Sequence, residues 1–66
     1  MGVKNRLKEI RMKEYMMSQK DFSNMLKINY HQYTKYEKNT IPVLETALQI
    51  AKKLNKPVEE IFCLDE

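Results

Sequence analysis

Beyond position 2 the chain contains no glycine, and proline occurs only at positions 42 and 57. Few β-branched runs alternate with polar residues, and apolar side chains return with a period near 3.6 almost throughout. This pattern predicts an all-α chain. Val3, Leu7 and Ile10 mark a first helix over residues 3–14, followed by an apolar connection at 15–17. Ser18 is placed to cap a second helix, 18–26, with Asp21 at the third position and Phe22, Met25 and Leu26 facing inward. Lys27 and Ile28 form a short turn. Asn29 caps a third helix over 30–38, and Asn39 suits its end. Pro42 fits the start of a fourth helix, along which Leu44, Ala47, Leu48, Ala51 and Leu54 form a stripe that ends at Asn55. Pro57 opens a short fifth helix with Val58, Ile61 and Phe62 inward, and the last residues, "CLDE", read as a frayed tail. The expectation is a compact five-helix domain around one core.

With 66 residues and 8.0 kDa, the chain is one small domain whose stability is marginal, so dimerisation is anticipated. Cys63 has no second cysteine to pair with, and one Cys with one His does not make a zinc site. The expected state of Cys63 is a small thiol in a reducing compartment. The N-terminal segment lacks an apolar signal stretch, Arg6 breaks a myristoylation pattern, and no run reaches the ~18 apolar residues of a membrane helix. A cytoplasmic protein with no membrane partner is expected. The net charge of +3 is uneven. Residues 1–40 hold nine Lys or Arg against four Asp or Glu, +5, and residues 41–66 hold three against five, −2. A polyanion would meet the first of these.

The third helix, "NYHQYTKYEKN" with its cap, carries three tyrosines three residues apart. At about 100° per residue they do not form one ladder. Tyr33 and Tyr36 share an inward face, with hydroxyls reaching for partners at its edge. His31, Thr34, Lys35 and Lys38 share the opposite, cationic face, and Tyr30 lies on the border. Two short helices joined by a tight turn, the second capped and polar outward, make a helix-turn-helix whose second member fits a DNA major groove about 12 Å wide.

The segments "NRLKEIR", "MSQKDFSNML", "YTKYEKN" and "ETALQIAKKLNKPVEEIF" resemble, in this order, the phage repressor/Cro or XRE type of helix-turn-helix domain over residues 5–62. The resemblance implies double-stranded DNA as the partner, transcription regulation as the role, and helix 3 as the reader of the major groove. It places Gln19 on a phosphate and against the first recognition-helix residue, and Asn29 at a backbone-contacting cap. Tyr30, His31 and Lys35 fall at base-reading positions with Thr34 between them. Lys38, Asn39 and Thr40 fall where the following loop grips phosphates. It also implies an internal ion pair between Arg11 and Glu37, and a homodimer on a palindromic operator through the fourth and fifth helices, with Ile41, Val43, Phe62 and Leu64 as candidates. Three departures stand out: Lys27 replaces the turn glycine, the link through "EYMM" is one residue longer, and tyrosines stand at 33 and 36 where aliphatic residues are usual.

A competing reading is a protein-interaction module, antitoxin-like or inhibitory, that uses the same fold without reading DNA. The sequence offers no paired acid and base, nucleophile–histidine motif, phosphate loop or metal set, so no enzyme, cofactor or small-molecule ligand is expected. Met12, Met16, Met17 and Met25 are read as packing residues.

Overall fold

A computed structural model describes residues 2–66. Strand β1 (Gly2–Asn5) leads into helix α1 (Leu7–Ile10), which continues as a π-helical turn over Arg11–Tyr15. Helices α2 (Gln19–Leu26), α3 (Tyr30–Glu37) and α4 (Leu44–Leu54) follow, then a single 3-10 turn at Val58–Glu60 and strand β2 (Phe62–Asp65). The all-α, five-helix expectation is therefore corrected. Among the described residues the domain is mostly helical, with four helices and a two-stranded antiparallel sheet that joins its first and last segments. The register pairs Gly2 with Asp65, Val3 with Leu64, Lys4 with Cys63 and Asn5 with Phe62. The "CLDE" segment lies in this sheet or next to it, and Val3 is a strand residue rather than the first turn of a helix.

Local chemistry explains most of the boundaries. Asn5 ends β1 and starts α1 together: its side-chain oxygen accepts from the Leu7 N–H at 3.1 Å while its amide donates to the Tyr36 carbonyl at 2.8 Å. The additional residue in the link after α1 is absorbed by the π turn, in which the Met16 N–H reaches back to the Arg11 carbonyl. A π turn holds one more residue than an α turn, and Met16 leaves it in the left-handed region with φ 51°. The Ser18 hydroxyl accepts from the Asp21 N–H at 3.1 Å, the cap expected from the sequence. Lys27 keeps the left-handed conformation of a turn glycine, φ 59°, at a cost on the order of 1 kcal/mol. Asn29 caps α3 through the N–H groups of His31 and Gln32 at 2.9 and 3.3 Å. Helix α4 starts at Leu44, two residues after Pro42, which is buried in the loop, and Asn55 closes it in the left-handed region.

The core brings Leu7 and Ile10 of α1, Phe22 and Leu26 of α2, Tyr33 and Tyr36 of α3, Ile50, Ala51 and Leu54 of α4, and Ile61 together. The Phe22 ring sits edge-on between Tyr15 at 5.2 Å and Tyr33 at 5.7 Å, an arrangement aromatic rings favour. Met17, Met25, Val58 and Phe62 pack against its margin, whereas Met12 and Met16 are exposed. The expected α4 stripe is off-centre. Ala47, Ile50, Ala51 and Leu54 face in, while Leu44 and Leu48 are 71 % and 50 % exposed. The helix is apolar over a wider arc than the core can cover.

Candidate nucleic-acid interface

Helices α2 and α3 meet at the corner made by Lys27, Ile28 and Asn29. The corner is held from both sides. The Ile28 N–H bonds to the Ser23 carbonyl at 2.9 Å, and the Asn29 cap fixes the start of α3. Tyr33 is fully buried and Tyr36 nearly so, so the face of α3 that points into the protein is settled. The face that points away follows from it. His31, Lys35 and Lys38 are exposed and Thr34 is half-buried, at i, i+3, i+4 and i+7 spacing on one side of the helix. Tyr30 is 40 % exposed with its ring 5.5 Å from the His31 ring. Asn39, at φ 77°, turns the chain away from α3, and Asn39 and Thr40 are both exposed there. Among the described residues, neither Lys35 nor Lys38 forms a salt bridge, so both charges face solvent.

Beneath this surface lies a polar cluster centred on Glu37. Its side chain is 5 % exposed, and that of Arg11 is 11 % exposed. Arg11 Nε donates to Glu37 Oε2 at 2.8 Å and Nη1 to the Met17 carbonyl at 2.9 Å. Gln19 Nε2 donates to Glu37 Oε1 at 3.0 Å, and the Tyr33 hydroxyl donates to Glu37 Oε2. Burial pushes the Glu37 carboxyl up, but the donors from Arg11, Tyr33 and Gln19 outweigh it and hold the group below the usual carboxylate range. Burial, together with the Glu37 charge, raises the Tyr33 phenol. The Glu37 hydrogen bond raises Arg11. The pair spans α3 and the π turn, as the resemblance implies. The links to Gln19 and Tyr33 escaped the sequence reading, although Tyr33 and Glu37 stand at i, i+4.

A helix-turn-helix family model matches residues 7–61, which spans all four helices and the buried core. The chain belongs to the XRE-type, Cro/C1-like helix-turn-helix family. No curated protein matches it. XRE-type domains are DNA-binding transcription regulators, and in this member the bihelical unit is preserved despite the three departures. Lys27 adopts the conformation of the glycine it replaces. The longer link becomes a π turn. The tyrosines at 33 and 36 fill the core. Of the nine residues proposed for DNA, His31, Lys35, Lys38, Asn39 and Thr40 lie fully at the surface. Three others are already engaged internally: Gln19 with Glu37, Asn29 with the α3 backbone, and Thr34, whose hydroxyl donates to the His31 carbonyl at 2.8 Å. Among the described residues no group of His, Cys, Asp or Glu is arranged to hold a metal, and no helix is long and apolar enough to cross a membrane.

Proposed function

We propose that this XRE-type domain is a sequence-specific transcriptional regulator that lays α3 in the major groove and binds a palindromic operator as a homodimer. The observation that carries the reading is the outward face of α3: unpaired lysines and an imidazole on a helix anchored by two buried tyrosines and an asparagine cap. Lys35 is suited to donate to guanine O6 and N7. His31 donates or accepts according to its tautomer. The hydroxyl of Thr34 is turned to its own helix, which leaves its methyl, with the Tyr30 ring, to meet a thymine methyl. Gln19, Asn29, Lys38, Asn39 and Thr40 flank this reading head and suit phosphates, contacts that position a protein without carrying sequence information. Exposed apolar side chains at Ile41, Val43, Leu44, Leu48 and Leu64 supply the surface for the second copy.

Selection from a random duplex pool, followed by titration of single variants, tests the reading. Lys35→Ala and Tyr30→Ala are expected to relax preference at individual base pairs, each by roughly 1–3 kcal/mol of discrimination. Lys38→Ala is expected to weaken binding to every duplex and to reduce the salt slope by about one. Equal losses from all three variants on selected and random duplexes would refute base reading by α3. Binding without salt dependence would favour the protein-interaction module.

A further inference from the structure

The Glu37 side chain is buried, yet it is bonded to a side chain proposed to meet phosphate. An ionised carboxylate only accepts hydrogen bonds. Gln19 must therefore face it nitrogen first, and the usual ambiguity between the oxygen and nitrogen of an amide is removed by chemistry. One N–H of Gln19 is held at 3.0 Å from Glu37 Oε1. The other N–H and the carbonyl are left for the half-exposed side of the residue. A phosphate oxygen is also an acceptor, so only that second N–H can serve it. Without the carboxylate the amide is free to turn its carbonyl outward, and it loses rotamer freedom when it binds.

From this we infer that Glu37 is a positioning residue for the phosphate contact of Gln19, an inference that rests on the DNA-binding reading above. The carboxylate sits on α3, takes Arg11 from the π turn and Tyr33 from its own helix, and fixes the first residue of α2. The phosphate grip of α2 and the pose of the recognition helix thus share one buried group. A purely structural ion pair would need only Arg11. The bond from Gln19 is what adds the functional role.

A double-mutant cycle on duplex affinity tests this, with Gln19→Ala, Glu37→Gln and the double variant titrated by fluorescence anisotropy. In the unaltered background Gln19→Ala is expected to weaken binding about tenfold, the scale of a charge-assisted hydrogen bond. In the Glu37→Gln background, where an amide no longer dictates which way Gln19 faces, the same change is expected to cost no more than about twofold. Equal losses in both backgrounds overturn the proposal. Because Glu37→Gln leaves Arg11 buried without its partner and can unfold the domain, a measurement on the unaltered protein stands beside it. By NMR, one Gln19 side-chain N–H proton is expected to exchange with solvent more slowly than those of the exposed Gln49, and the other to shift on adding duplex. Exchange of both Gln19 protons at the Gln49 rate overturns the brace. If Lys38→Ala still weakens binding while Gln19 and Glu37 act independently, the brace fails and the DNA-binding reading survives. If no salt-dependent duplex binding occurs, that reading fails, and this proposal fails with it.

Discussion

The Tyr33 hydroxyl shares the Glu37 carboxylate with Arg11 and Gln19, and together these donors offset the cost of burying a charge. Removing the hydroxyl with Tyr33→Phe keeps the ring against Phe22 and deletes one donor to a buried carboxylate. The expected loss is about 1–3 kcal/mol at neutral pH, read from urea midpoints. The pH dependence has a definite sign. Glu37 titrates below its ordinary value of 4.5 in the folded state, so the unfolded chain binds the proton first as pH falls. The stabilisation is complete above that ordinary value and is lost as pH drops through the depressed one. The gap between Tyr33→Phe and the unaltered protein is therefore expected to narrow over the same acid window. A gap that stays constant to low pH would mean that the hydroxyl acts through packing rather than through the carboxylate. The inward direction of Tyr33 was legible in the sequence, from the helical period and the charged face opposite. The partner of its hydroxyl was missed although Glu37 stands one turn further along the same helix, because a glutamate reads as a surface residue until Arg11 and Gln19, brought by two other segments, are seen to hold it inside.

At the level of elements, the helices announced themselves where a cap could be named. Ser18 and Asn29 each begin a helix within a residue of where their side chains can serve a free N–H. The sheet gave no such sign. Its strands are four residues long and lie at opposite ends of the chain, so a two-residue period, which puts only Val3 with Asn5 and Phe62 with Leu64 on one face, is too short to compete with the helical period around it. The same pairing explains why no fifth helix forms: after one 3-10 turn the Ile61 carbonyl accepts from the Arg6 N–H at 2.9 Å, and the chain extends along β1. The turn between α2 and α3 was legible as a turn but not in its strain. Lys27 at φ 59° makes Lys27→Gly stabilising. The relief of the left-handed conformation exceeds the added freedom of the unfolded chain by up to roughly 0.5 kcal/mol, measurable as a higher melting temperature. If Lys27→Gly lowers the melting temperature instead, the lysine contributes through its side chain rather than straining its backbone.

For the whole molecule the decisive quantity is the apolar surface left over once the core is complete. A stable interface covers about 800 Å² on each partner, roughly a sixth of the 4794 Å² that this domain exposes. Ile41, Val43 and Leu44 are consecutive but for Pro42, each is at least 60 % exposed, and Leu48 lies one turn further along α4. The half-buried Val3 and Phe62 border the same region, since they line a cleft of about 240 Å³ with Ile41 and Leu44. Sequence reasoning named Ile41, Val43, Phe62 and Leu64 for this surface but assigned Leu44 and Leu48 to the core, because a stripe at helical spacing does not disclose how much of it the core can cover. Two half-sites one helical turn apart need two copies held in fixed relation, and this apolar region is the surface proposed to hold them. Leu44→Lys combined with Leu48→Lys places two charges there without touching the buried side of α4. Sedimentation is expected to show a monomer for this variant and a dimer for the unaltered protein. Affinity for a palindromic operator is expected to fall by roughly tenfold or more as the linked second contact is lost, while affinity for an isolated half-site is unchanged. A variant that remains dimeric would move the interface elsewhere. An unaltered protein that is monomeric on the operator would remove the homodimer from the proposed function.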